Sequence, residues 1–404
     1  MSTAPEEQAH VSCAARALAI AAFAAGTLLA ANGAAAEVPF ARHFGRYDLG
    51  GMVYVMTNAS AGNQVVVYLR DRQGRLAPLH NGAVSTGGLG GSANAAIDPL
   101  GSQGALTYDD DAQMLFAVNA GDNTVAALDT SGYGFRPALR QVVASGGFIP
   151  VSLAVSEDRL YVLNAGGSGS VTTFAIARGA GLRQIGVLDL KLPPAATAIP
   201  FDQVGAPNQV GVDALARHLV VTHVGGGEVL TVGLDDSGVP SGSITSTASP
   251  GAGPFSFGVT RFGSILVAEA ASGSVSAFDP PSGTDPLKAT ASAVPTGQAA
   301  TCWIVVHDDG FAYVSNTGSN TLGMYTWTRT GHLQLVAGAA ATASGAPTDL
   351  TLANGGGFLY SLDAGSGSIS GFAISPNNGA LRRVETQGGL PASAGLQGIA
   401  SRDF

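Results

Sequence analysis

Two side chains in this sequence combine the right chemistry with a suggestive setting. His223 ends the apolar run Leu219-Val220-Val221-Thr222, and Glu269 ends Ile265-Leu266-Val267-Ala268. An imidazole and a carboxylate held within one ligand's width can move a proton to and from an ester or lactone. Glu269 and His223 are therefore the catalytic candidates. The competing reading makes each an independent loop anchor, with the Glu269 carboxylate accepting loop backbone N–H bonds. Polar residues near the starts of other apolar runs are the candidates for ligand binding: Gln103, Asn208, Gln209, Asp349 and Gln397, with Cys302 beside them. Together they suggest a hydrogen-bonding funnel for a neutral polar ligand, or a merely wet channel. A nucleophilic thiol needs an electropositive neighbour. Around Cys302 the sequence offers only Thr301 and, five residues on, His307. Cys302 thus also reads as a small buried hydrophobe beside Trp303.

Other constellations carry less. Asp109-Asp110-Asp111 lacks the alternating oxygen ligands and Gly bend of a calcium loop and reads as a solvated hairpin turn. The seven histidines include no i, i+2 or i, i+4 pair, so no metal site is expected. Gly-rich tracts such as Gly87-Gly88-Leu89-Gly90-Gly91 precede no helix that could cradle a phosphate, and no cofactor is expected.

Both catalytic candidates occupy one position of a repeated unit. An apolar strand, a polar anchor, a small-residue loop and a second apolar strand recur seven times, with anchors at Asn58, Asn119, Asn164, His223, Glu269, Asn316 and Asp363. Anchor spacings are 61, 45, 59, 46, 47 and 47 residues. After each anchor the chain resumes at Val65, Val125, Val171, Val229, Val275, Leu322 or Ile369. Runs of β-branched and aromatic residues fit buried strands, and Gly-Ser-Asn loops fit tight hairpins. Outer strands restart at Gly74-Arg75-Leu76, Gly331-His332-Leu333 and Gly379-Ala380-Leu381. Four antiparallel strands per repeat of about 50 residues predict an all-β, seven-bladed β-propeller. The first copy lacks a leading strand, and Leu396-Gln397-Gly398-Ile399-Ala400-Ser401 supplies it from the far end of the chain. Pairing the C-terminal strand with the N-terminal blade closes the ring and removes two free edges.

Composition narrows the class. The 404 residues are 46% hydrophobic and only 12% charged, with a net charge of −9. This excludes a charge-rich disordered chain and argues against a sequence-independent nucleic-acid binder. Residues 17–31 form an apolar run after Arg16 and before Ala34-Ala35-Ala36. That pattern predicts a secretory signal over residues 1–36 and a propeller over 37–404. The run is too short for a spanning helix, so no membrane association is expected after signal removal. Cys13 would leave with the signal, making Cys302 the only mature thiol and excluding an intrachain disulfide. The expected location is secreted or periplasmic.

The motifs Tyr161-Val162-Leu163-Asn164, Tyr313-Val314-Ser315-Asn316 and Ser375-Pro376-Asn377-Asn378-Gly379 resemble those of the lactonase family of seven-bladed propellers. That family includes 6-phosphogluconolactonase and the fungal carboxymuconate-cyclising enzyme. The resemblance covers essentially the whole mature chain. It implies a channel site with a histidine, a glutamate and arginines. The corresponding positions here hold Asn208, Glu269, Glu228 and Thr317, so the glutamate alone is kept. The expectation is an exported, monomeric, lactonase-like propeller that binds a small polar ligand and hydrolyses or forms a lactone. The alternative is a non-catalytic scaffold that binds a protein or glycan through its loop face, with the connection from Leu192 to Gly205 as recognition loop.

Overall fold

The computed structural model describes residues 48–92, 97–132, 134–177 and 181–404. The signal segment and its cleavage point lie outside the described residues. Seven four-stranded antiparallel sheets follow one another. The first blade joins Ile399–Asp403 to Leu49–Met56, Gln64–Asp71 and Leu76–Ser85. The six other leading strands are Leu106–Asp109, Pro150–Ser156, Pro207–Val212, Pro254–Val259, Thr301–His307 and Pro347–Ala353.

Burial follows strand order. In the second strand of blade one, Met52 through Met56 are all fully buried, because a blade sandwiched between two others hides both of its faces. The fourth strands face solvent and alternate: Ala138–Ala144 is nowhere buried. The core therefore lies in the layers between adjacent blades. Among the described residues the one helical element is a single 3₁₀ turn, Thr317–Ser319. No helix among them is long and apolar enough to cross a membrane.

The ring closes as the sequence predicts. Gly51 pairs with Asp403, Val53 with Ser401 and Val55 with Ile399. The closing strand begins three residues later than Leu396, although the Met56 N–H still donates to the Gly398 carbonyl at 3.0 Å. Each leading strand packs against the next, and Ile399–Asp403 touches both Pro347–Ala353 and Leu106–Asp109. One apolar cluster spans this junction, joining Val53, Val55 and Ile399 to Tyr360 and Leu362.

The second strands also carry tyrosines that tie blades together. The hydroxyl of Tyr161 donates to Gly238 O, that of Tyr313 to Gly379 O and that of Tyr360 to Gly74 O, each at 2.7 Å. Each acceptor sits in the outer turn of the following blade, and the Tyr360 bond crosses from the last blade to the first. Gly74, Gly238 and Gly379 have φ of 84, 74 and 69°, a left-handed conformation that favours glycine. Two motifs that look separate in the sequence, the tyrosine strand and the glycine turn, are hydrogen-bonding partners.

Candidate functional site

Leading strands begin, and second strands end, on one face of the ring. Pro150 pairs with Asn164, Pro207 with His223, Pro254 with Glu269, Thr301 with Asn316 and Pro347 with Asp363. Proline suits the first residue of a strand, where no ladder N–H is required. Every one of these pairs is followed by a register shift in the leading strand. A bulge of this kind re-aims side chains. It leaves Asn208, Cys302 and Thr348, all buried, outside the regular alternation.

Glu269 is fully buried. Its Oε1 accepts from Ser249 Oγ, Ser276 Oγ and the Gly251 N–H, each at 2.7 Å, and its Oε2 accepts from Ser274 Oγ at 2.6 Å. A Cβ at Gly251 would collide with this carboxylate, so the loop must carry glycine there. Asp363 repeats the design two blades later, taking Ser361 Oγ and the Ser344 N–H at 2.8 Å and Ser370 Oγ at 2.5 Å. Asn316 does the same with an amide, receiving Thr301 Oγ1 at 2.7 Å and donating to Gly338 O at 2.9 Å. The anchors are hubs that join a blade's second strand to its neighbouring strands and entry loop.

His223 is buried as well, but its partner is not Glu269. Its Nδ1 lies 2.9 Å from Glu228 Oε1, and its Nε2 lies 3.2 Å from the Gly205 carbonyl. Ser246 donates to the other Glu228 oxygen. Burial pushes Glu228 up, but the bonds from Ser246 and His223 outweigh it and hold the group below the usual range. The expected couple of His223 with Glu269 is thus replaced by two separate arrangements in neighbouring blades. The geometry favours the anchor role for Glu269 and gives His223 a carboxylate of its own. The Ser-x-Ser pattern after each acidic anchor (Ser274-Val275-Ser276 and Ser368-Ile369-Ser370) was the available signal that these carboxylates are sequestered.

The polar residues at the starts of the leading strands, with Gln103 and Gln397 just ahead of theirs, bind the protein itself. Gln103 reaches across the channel, its Nε2 donating to Ile304 O at 2.9 Å and its Oε1 accepting from Ile304 N at 3.0 Å. Gln209 makes the same two-point contact with Phe257, at 3.0 and 2.7 Å. Asn208 donates to Gly101 O at 2.8 Å and accepts from Val224 N at 2.9 Å. Gln397 donates to Ser102 O and to Asp98 Oδ1, both at 2.8 Å. Trp303 is fully buried, its indole N–H donating to Ser102 O at 2.9 Å and its ring meeting Phe255 edge-on at 5.0 Å. Gln103, Gln209, Asn208 and Gln397 thus staple separate segments together, where the sequence suggests an open hydrogen-bonding funnel. Cys302 is fully buried and in the full-length, unprocessed chain its sulfur is held in a disulfide, so the expected unpaired thiol is corrected for that form. Thr317, at a position where the resemblance implies an arginine, donates to Pro347 O at 2.7 Å.

Asp109 Oδ1 accepts from the N–H groups of Asp111 and Ala112, which is a turn. Among the described residues no group of three or more His, Cys, Asp or Glu side chains is placed to hold a metal ion. Sequence reasoning missed Asp98, whose carboxylate meets the closing segment through Gln397.

Residues 91–394 match the family model described as Lactonase, 7-bladed beta-propeller. The chain is similar in structure to a protein of Bacteroides fragilis provisionally assigned as a 6-phosphogluconolactonase. The TM-score is 0.68 at 15% identity, covering 90% of this chain and 100% of that one. It is similar also to a periplasmic gluconolactonase of Pseudomonas aeruginosa, with TM-score 0.68 at 18% identity, covering 87% and 99%. At such identities the likeness shows the fold alone. No curated protein matches the sequence.

Proposed function

Because the chain belongs to the lactonase family of seven-bladed β-propellers, we propose that it opens or closes a lactone of a small, uncharged, polar substrate on the face where the second strands end. The observation that carries this reading is the hydrogen bond between His223 and Glu228 on that face. A carboxylate that accepts the Nδ1 proton fixes the orientation of the imidazole; Nε2 faces the Gly205 carbonyl, an acceptor, and can take a proton only once that carbonyl has moved away. In hydrolysis, Nε2 takes a proton from water as its oxygen bonds to the lactone carbonyl carbon. The tetrahedral intermediate then expels the ring oxygen, which receives that proton and leaves as a hydroxyl. The Gly205 carbonyl faces Nε2 and must swing aside before water or substrate can enter.

An uncharged substrate is favoured by the net charge of −9 and by Glu228 and Thr317, which stand where the resemblance implies arginines. Export, supported by the leader-like segment over residues 17–31, is part of the proposal. The description of one structural neighbour as a periplasmic gluconolactonase agrees with it.

The test is a panel of sugar and alkyl lactones with proton release followed at constant pH. Turnover is expected in the intact protein and a loss of at least 100-fold in His223→Gln, with Glu269→Gln close to wild type per folded molecule. A second reading, a binding module without turnover, draws support from Asn208 and Thr317, both engaged with backbone. Lactones that raise the Tm without releasing protons would select it.

A further inference from the structure

The pair Asp98 and Asp349 sits beside the closing segment and has no role in the chemistry above. Both side chains are 98% buried, each at 2% exposure. Asp98 Oδ1 accepts from the Gly101 N–H and from Gln397 Nε2, each at 2.8 Å. Asp349 Oδ1 accepts from the Leu350 N–H at 2.9 Å, and backbone N–H groups of Gly398 and Ile399 also act on this carboxyl. The closing segment therefore touches both acids, Asp98 through Gln397 and Asp349 through Gly398 and Ile399. On each acid the second oxygen, Oδ2, is buried with no hydrogen-bond partner. No arginine, lysine or histidine among the described residues bonds to either group. Burial lifts Asp98 to about 7 and Asp349 to about 8, the latter raised further by the charge of Asp98.

A buried carboxylate without a counter-charge is strongly unfavourable. Two of them coupled by charge, each with an idle buried oxygen, must be neutralised by a proton or by a cation. We propose that Asp98 and Asp349 hold a hard divalent cation of the calcium or magnesium class beside the closing strand, where it fastens the last blade to the first. Carboxylate oxygen is the donor such ions prefer, and two carboxylates with solvent completing the shell are a sufficient protein contribution for a weak site. The ion's place links three parts of the ring: the start of blade two through Asp98, blade seven through Asp349 and the C-terminal segment through Gln397. This inference is independent of the lactone reading.

Terbium(III) serves as probe, because Trp303 can sensitise it. The Trp303 indole and the Gln397 amide share the Ser102 carbonyl, and Gln397 in turn bonds Asp98. With indole excitation, saturable terbium emission is expected from the intact protein, displaced by calcium or magnesium and lost in Asp98→Asn and Asp349→Asn. Calcium at millimolar concentration is expected to raise the Tm of wild type by a few degrees over EDTA, and not that of the variants. Both variants relieve charge repulsion and are expected to fold. Should either fail, wild-type emission and its displacement still decide the matter. Absence of saturable emission overturns the proposal. So does a wild type whose Tm ignores calcium but falls as pH rises through 7 to 8, since protons alone would then neutralise the pair.

Discussion

The hub around Glu269 makes a prediction whose size follows from its geometry. Replacing Glu269 by alanine strips four donors of their acceptor: the hydroxyls of Ser249, Ser274 and Ser276 and the Gly251 N–H. Hydroxyls can rotate toward other oxygens, whereas the backbone N–H cannot. A buried donor left unmatched costs about 1–3 kcal/mol. Counting the N–H and one serine, and adding a side-chain-sized void, gives a loss of about 4 kcal/mol. Against a typical total of about 5–15 kcal/mol this is severe. Glu269→Gln keeps the shape and one carbonyl oxygen, so about 1–2 kcal/mol is expected from it. The assay is urea unfolding followed by tryptophan fluorescence. With a slope of about 3 kcal/mol per molar, the alanine midpoint is expected more than about 1 M below wild type and the glutamine midpoint about 0.5 M below. An alanine variant that unfolds at the wild-type midpoint refutes the hub. So does a glutamine variant of unchanged midpoint that has lost all lactone turnover, since the carboxylate would then serve chemistry.

Glu228 supplies a pH signature. Its folded value lies below the ordinary 4.5, so its contribution is present above 4.5 and lost as the pH falls through the folded value. The stability gap between wild type and Glu228→Gln is therefore expected to close below about pH 4.5, read by thermal melts across pH 3–7. Tyr360→Phe and Tyr313→Phe each remove one inter-blade bond, and about 1 kcal/mol is expected from each in urea unfolding. Gln103→Leu cuts the two-point bridge over the channel, and amide exchange at Ile304 is expected to accelerate at least tenfold while Phe257, held by Gln209, stays protected.

The fold was legible because it is written in local repetition. An anchor and two apolar runs recur about every 50 residues, and strand propensity together with edge avoidance left one arrangement for them. Even the orphan strand at the C-terminus could be matched to its blade. The site was legible only in position. Sequence placed His223 and Glu269 at the ends of their strands, while Gln103 and Gln397 fall just ahead of the leading strands they were assigned to, and a polar side chain's role depends on what lies across from it. For Gln103 that partner is 201 residues away, across the axis. For His223 it is a glutamate five residues on, at a position weighed only for an arginine it does not carry. Asp98 lies in a connection before a leading strand, where no periodic pattern flags a buried acid.

A ribosome delivers the chain from its beginning, while the first sheet waits for Ile399–Asp403. Until those residues emerge, the growing protein is an open arc with an exposed backbone edge. Maturation must therefore follow synthesis, not accompany it. A stop codon six residues early would produce not a slightly shorter molecule but one that never becomes round.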